Sequence, residues 1–378
     1  MIKTLSIQNF KAFDDLQKIQ LGSLTLLTGI NGRGKSSFLQ ALLLLSQSLR
    51  NSAQHTLNNL LLKGDWVDLG SFSDVKNVYG THDLPIIFTI ETDNATDNRF
   101  RLSYKAGNAS SMGDLCGMEV GGKEMFSESS FYDESVSAEK SGTLVAPVIS
   151  GYTSLTSLQR MYYISADRES AQNEEDNVSR SSLWLDKKGR NILNVIYAEG
   201  EAFQKKVEQE LSNIFDGATF SIKEEGNALR LYMDSTNNGR FFHPVNVGYG
   251  YSYALSLITA GLLAKEGEII IIENPEAHLH PSAQSAVMNF FCKEVLPKKV
   301  QLFIETHSDH IVNASLIAVR NEILKNNQLE ILFFSRKQEE KKSFTVQNLE
   351  ITKKGRVKNP PKNFCDQYAM DLRTLMGF

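Results

Sequence analysis

The chain has 378 residues, 41% of them hydrophobic, and a formal net charge of −4. That length allows two or three domains with real cores, and no apolar run approaches the roughly 20 residues needed to cross a bilayer, the longest being Leu255 to Ala264. The net negative charge gives the molecule as a whole no electrostatic reason to coat nucleic acid, and three scattered cysteines, Cys116, Cys292 and Cys365, suit neither a disulfide framework nor a zinc knuckle. The expectation is a cytoplasmic protein with ordinary thiols and no membrane partner.

In chain order, residues 2–9 and 17–28 alternate or run apolar as strands do. Leu24-Thr25-Leu26-Leu27-Thr28 leads into Gly29-Ile30-Asn31-Gly32-Arg33-Gly34-Lys35-Ser36-Ser37 and then into Phe38-Leu39-Gln40-Ala41-Leu42-Leu43. This is a complete Walker A loop in a strand-to-helix setting. Gly29, Asn31, Gly32 and Gly34 let successive backbone N–H groups face phosphate oxygens, and the helix behind adds its positive end. Lys35 would neutralise phosphate charge and Ser36 would hold Mg²⁺, so ATP and Mg²⁺ are the expected cofactors. The helix is predicted to run to about Arg50 with Leu42 to Leu45 inward. Val67-Asp68-Leu69-Gly70-Ser71-Phe72 and Pro85-Ile86-Ile87-Phe88-Thr89-Ile90 predict an antiparallel edge sheet. Residues 107–140, rich in Ser, Gly, Glu and Asp, predict an inserted mobile segment.

Helical spacing returns between Leu183 and Phe215, followed by strands at 218–223 and 228–233. Helices at 252–265, 282–293 and 308–322 then alternate with strands at 268–273, 299–304 and 328–335, which predicts a largely parallel sheet covered by helices. Ile269-Ile270-Ile271-Ile272 ends in Glu273-Asn274-Pro275-Glu276. Four β-branched residues suit a strand buried on both faces, and an acid at its end is what a Walker B strand requires to hold Mg²⁺.

Together, Asn9-Phe10-Lys11-Ala12-Phe13, the Walker A loop, Asn246-Val247-Gly248-Tyr249-Gly250-Tyr251-Ser252, Glu273-Asn274-Pro275-Glu276-Ala277-His278-Leu279-His280-Pro281 and Glu305-Thr306-His307-Ser308 resemble the ABC-type ATPases of the SMC, RecF and OLD group. Within it the chain looks most like the compact AAA-family ATPases of prokaryotic antiphage defence operons, the Septu PtuA-like proteins. The resemblance implies an α/β fold, a P-loop NTPase of ABC/SMC-head type, with a mostly parallel core sheet, an antiparallel β lobe and an inserted segment. Expected boundaries are 1–100 for the first part of the head, 101–182 for the insertion, 183–350 for the second part and 351–378 for an extension.

It further implies that Gly248, Gly250 and Ser252 form a signature loop, with Ser252 gripping the γ-phosphate held by Lys35 of a second copy in a homodimer or higher homo-oligomer. His307 would be a switch residue near that phosphate; on its own it reads as a solvated or capping side chain. Glu273 and Ser36 would be the metal ligands. SMC-type heads carry Asp-Glu where this chain has Glu273-Asn274; Asn cannot accept a proton, and a positioned general base is worth about 10²–10⁴-fold, so turnover should be slow unless Glu276 substitutes. No ABC-type Q-loop glutamine occurs in Gly70-Ser71-Phe72-Ser73-Asp74. Arg168, ending Tyr163-Ile164-Ser165-Ala166-Asp167, could meet nucleotide, a partner head or a surface acid.

His278, His280, His307 and His310 present no common helical face for a metal. The residues after His307 carry no Glu-Gly and Asp-x-Asp pattern of a Toprim nuclease, nor an HNH pattern. The implied role is a sensor or scaffold of an antiviral defence complex, with a nuclease or toxic effector of Toprim or HNH type in trans and DNA met only through the complex. The alternatives are a RecF/SMC-like repair ATPase acting directly on DNA, and the ATPase subunit of a transporter. The basic run Lys353-Lys354-Gly355-Arg356-Val357-Lys358 reads as solvated surface or a DNA contact.

Overall fold

The computed structural model describes every residue except 16, 53–56, 81–83, 96–97, 128–154, 179–183, 337–343, 363, 366 and 377–378. The strands are β1 (Ile2–Gln8), β2 (Gln17–Gln20), β3 (Leu24–Gly29), β4 (Asn59–Leu61), β5 (Ile86–Thr92), β6 (Arg99–Ala106), β7 (Met112–Val120), β8 (Lys123–Ser127), β9 (Met161–Ile164), β10 (Glu174–Asp176), β11 (Thr219–Glu225), β12 (Ala228–Asp234), β13 (Ile269–Glu273), β14 (Gln301–Glu305), β15 (Leu329–Arg336) and β16 (Phe344–Leu349). The α-helices are α1 (Lys35–Asn51), α2 (Phe72–Val75), α3 (Thr156–Gln159), α4 (Ile192–Ala198), α5 (Glu201–Ile214), α6 (Tyr249–Leu263), α7 (Pro281–Phe290), α8 (Asp309–Arg320) and α9 (Gln367–Leu375). They divide into two units, Met1–Gly22 with Gly29–Met161 and Leu332–Asn348, and Ser23–Thr28 with Tyr162–Ile331 and Leu349–Phe378.

The first unit is built on an antiparallel sheet of order β2-β1-β5-β6-β7-β4, with β8 on β7. Helix α1 belongs to this unit and buries Phe38, Leu39 and the whole run Ala41 to Leu49, the signature of a core helix rather than an amphipathic surface one. In the second unit the neighbour order is β3-β14-β13-β9. There β13 pairs parallel with β14, and β14 parallel with β3, and Ile269 to Ile272 are fully buried, as a strand covered on both faces demands. Helix α6 is likewise buried from Ala254 through Gly261. A smaller antiparallel sheet, β10-β12-β11, completes this unit.

Two expectations are corrected. Residues 17–28 form two strands rather than one, since β2 pairs antiparallel with β1 while β3 joins the parallel sheet. The stretch Val67–Phe72 is not a strand. Its start is held by a side chain: Gln47 of α1 donates to Leu61 O at 2.8 Å and Val67 O at 3.1 Å, and its Oε1 accepts from Trp66 N at 2.9 Å and Val67 N at 3.0 Å. Residues 107–127, expected within the inserted segment, carry regular strands. They hold β7 and β8, joined so that Val120 faces Lys123 across Gly121-Gly122, both at positive φ, which is the two-residue hairpin turn that glycine favours. Residues 128–140 of the expected insertion lie outside the described residues.

Gln47→Leu fills the same space but removes all four hydrogen bonds. We expect a loss of about 2–4 kcal/mol in urea unfolding, with amide exchange accelerating first in Gly64–Leu69.

Candidate functional site

The Walker A loop lies in the first unit, directly after β3. Gly29 has φ +116°, and a Cβ there would stand 2.3 Å from Phe334 O, so only glycine lets the chain leave the strand at this angle. Gly32 and Gly34 are also left-handed, at +69° and +100°. Gly34 caps α1 with no side-chain hydrogen bond, so the first turn of the helix offers backbone N–H groups to an anion. Lys35 is 3% exposed, and its Nζ donates to Gly29 O at 3.0 Å and Ile30 O at 3.1 Å. Asn31, Gly32 and Ser36 are exposed and Ser37 is half-buried. An ammonium held inside its loop, an exposed hydroxyl and uncapped helix amides are the donor set that a polyphosphate with Mg²⁺ requires.

The acidic half lies in the second unit. Register pairs Glu273 with Glu305 and Glu305 with Leu27, so three parallel strands end abreast, the crevice where open α/β sheets place ligands. Glu273 is half-buried; its Oε2 accepts from Ala166 N at 3.1 Å and its carboxyl also takes a hydrogen bond from Tyr163. Burial is the largest influence and raises its pKa above the ordinary carboxylate value.

The turn after β13 is held from both sides. Asn274 and His278 have positive φ, 46° and 62°, conformations that cost free energy in residues other than glycine, least in Asn. Arg168 is 2% exposed. Its Nη1 donates to Glu273 O at 2.9 Å and Ser165 O at 3.4 Å, and its Nη2 to Asn274 O at 2.8 Å. Burial pushes its pKa down to about 10, which leaves it charged at neutral pH. The structure thus gives Arg168 a role the sequence did not offer, holding main-chain carbonyls. On the other side, Glu276 Oε2 accepts from Thr306 Oγ1 at 2.8 Å and its Oε1 from His307 N at 2.7 Å, while Thr306 N donates to Leu27 O at 3.0 Å. The His307 side chain is exposed. His280 caps α7 through Ser282, and the His278 ring lies 4.4 Å from that of Tyr253. Among the described residues no group of three or more His, Cys, Asp or Glu is arranged to hold a metal.

Helix α6 places the three residues of the expected signature loop in different surroundings. Ser252 is 1% exposed, with its hydroxyl 3.8 Å from the Met233 sulfur; as the fourth residue of the helix it has turned onto the inward face. Gly250 faces the turn after β13, since a Cβ on it would stand 2.8 Å from His278 O. What the start of α6 exposes is Gly248, its N-cap without a side-chain bond, and Tyr249, 56% exposed. Position within the first helical turn was the available signal, and it separates Gly248 and Tyr249 from Ser252.

A family described as "AAA domain, putative AbiEii toxin, Type IV TA system" matches residues 24–313. A second, "Protein of unknown function (DUF3696)", matches residues 324–375. No curated protein matches the chain. Among solved structures, an SmcHead bound to the C-winged helix domain of ScpA is similar over 93% of this chain and 98% of that one, at 13% identity and a TM-score of 0.52. The SMC head domain from Thermotoga maritima follows at 11% identity over 93% of this chain and 99% of that one, TM-score 0.49. The Smc head domain from Pyrococcus furiosus, with an extended coiled coil and bound to the C-terminal domain of ScpA, matches over 100% and 99% at 10% identity, TM-score 0.49. With the P-loop, the acid-ended strand and an SMC-head fold in one chain, the protein belongs to the AAA domain family described as putative AbiEii toxin, Type IV TA system, and is a P-loop ATPase with an SMC/ABC-head fold.

Proposed function

We propose that this ATPase is a head that dimerises around ATP, turns it over slowly, and serves as sensor or scaffold of an antiviral defence complex whose effector, a nuclease of Toprim or HNH type, is supplied in trans. The observation that carries the reading is the pair of unlike ends the chain exposes. One is the cationic P-loop of Asn31, Gly32, Lys35 and Ser36. The other is the uncapped start of α6, with Gly248 and Tyr249 exposed. Helix N-termini attract anions, and in a two-fold dimer each P-loop meets the other copy's helix. Gly248, rather than Ser252, then lies against the γ-phosphate. Bound Mg²⁺ would neutralise phosphate charge, with the Ser36 hydroxyl and Glu273 carboxylate as its oxygen ligands. His307 is the switch side chain of this reading.

Slow turnover follows from two side chains. Asn274 cannot take a proton, and both oxygens of Glu276 already accept hydrogen bonds from the Thr306–His307 segment, so Glu276 serves the loop rather than water. The toxin and toxin–antitoxin wording of the family supports a defence setting. The rival, a DNA-maintenance ATPase, draws on the exposed cations Lys353, Lys354, Arg356 and Lys358, presented on a turn closed by Thr352 N to Arg356 O at 2.8 Å.

Mass measurement with and without ATP tests the core of this proposal. Lys35→Ala should abolish nucleotide binding and ATP-dependent dimers together; Gly248→Arg should keep the first and lose the second. A Gly248→Arg protein that dimerises as wild type does would remove α6 from the interface. DNA binding by the isolated chain, falling steeply with salt, would favour the rival.

Asn274→Glu should raise turnover about 10²-fold in steady-state phosphate release, at about 1 kcal/mol of stability for a longer side chain at positive φ. Because burial raises the Glu273 pKa, its metal-binding ionised form is depleted at a higher pH than an ordinary carboxylate would be. The Mg²⁺-dependent part of ATP affinity should therefore fall as pH drops toward and through that raised pKa, and Glu273→Gln should lose both that part and its pH dependence.

A further inference from the structure

The cation at Arg168 is spent on main-chain atoms, and the acids that flank it in sequence pair elsewhere, Asp167 with Lys188 and Glu169 with Arg190. Its two terminal nitrogens bridge the carbonyls of consecutive residues, Glu273 and Asn274, and the second of these is in the left-handed conformation. Its guanidinium carbon stands 5.4 Å from the centre of the Tyr253 ring. Tyr253 belongs to α6, and its ring in turn packs at 4.4 Å on His278, the other left-handed residue of the same turn. Ala166, two residues before Arg168, donates its N–H to the Glu273 carboxylate. The Arg168 Nε is buried with no hydrogen-bond partner, a cost that packing alone would avoid by placing an apolar side chain here.

We propose that Arg168 is a positioning residue. It locks the two carbonyls that flank the Cα of Asn274, fixing where the Glu273 carboxylate points, and through Tyr253 it ties that turn to the first turns of α6. A movement of α6 is then felt at Glu273, and the reverse. A planar fork is required for this. Lysine keeps the charge but cannot bridge two carbonyls and present a flat face to an aromatic ring at once. The part of the proposal that concerns metal rests on the ATPase reading above, whereas the clamp itself does not.

The test uses the full chain and two variants, Arg168→Lys and Tyr253→Leu, read in two ways. Hydrogen–deuterium exchange of the nucleotide-free protein reads the clamp. Arg168→Lys should speed exchange about 10-fold in 273–280 and in the first two turns of α6, with α1 and the β5–β7 sheet unchanged; Tyr253→Leu should reproduce the α6 effect and part of the other. Mg²⁺ titration of ATP turnover reads the positioning. Arg168→Lys should raise half-saturating Mg²⁺ about 10-fold while Mg²⁺-free binding of a fluorescent ATP analogue stays as in wild type. Unchanged exchange at 273–280, or faster exchange spread evenly over the chain, overturns the proposal. So does faster local exchange with an unaltered Mg²⁺ requirement, because the clamp would then not orient the acid. If the wild type binds no nucleotide while the local exchange effect is present, the ATPase reading fails and the clamp between the turn and α6 is supported.

Discussion

A single turn, Glu273 to His280, is held in an unfavourable backbone shape by charged side chains from opposite sides. Two of its residues occupy left-handed backbone, each at a cost of about 1–3 kcal/mol that the surroundings must outweigh. Arg168 grips its first two carbonyls and Glu276 grips the neighbouring strand's exit through Thr306 and the His307 amide. Because Thr306 is in turn bonded to Leu27, the ends of β13, β14 and β3 form one hydrogen-bonded set within the second unit. The chain that leaves β3 becomes the phosphate loop.

Helix α6 is the second partner of that turn. It contributes Gly250, which permits close approach to His278 O, and Tyr253, whose ring lies between Arg168 and His278. The same helix carries the exposed Gly248 and Tyr249 at its start. One element thereby faces solvent at its N-terminus and the acidic turn along its flank, and its buried body, Ala254 to Gly261, leaves little freedom for the two to move independently.

Much of this was legible in the residues because it follows from periodicity and from backbone demands. The glycines and Lys35 of the phosphate loop, the four isoleucines before Glu273 and the alternation of helices and strands after residue 250 each impose a local pattern, and the parallel pairing of β3, β14 and β13 agrees with them. What escaped was of two kinds. Arg168 and Gln47 bind main-chain atoms, and a side chain that reads backbone leaves no complementary residue to find. The burial of Ser252 and the β7–β8 hairpin escaped through phase and composition: one helical turn separates an exposed glycine from a buried serine, and a Gly-Gly hairpin reads as a flexible tract. The functional roles of Glu273, Glu276 and His307 stand on chemistry and resemblance, with the geometry supplying partners for each.

Arg168 holds position 274 by its carbonyl oxygen, so that grip does not depend on the side chain, whereas the left-handed backbone there favours Asn. Asn274 Oδ1 is itself buried without a hydrogen-bond partner. On the proposed ATPase reading, a change of that one side chain would alter hydrolytic speed while Arg168 keeps its grip on the main chain, so chemistry and scaffold answer to different atoms of one residue.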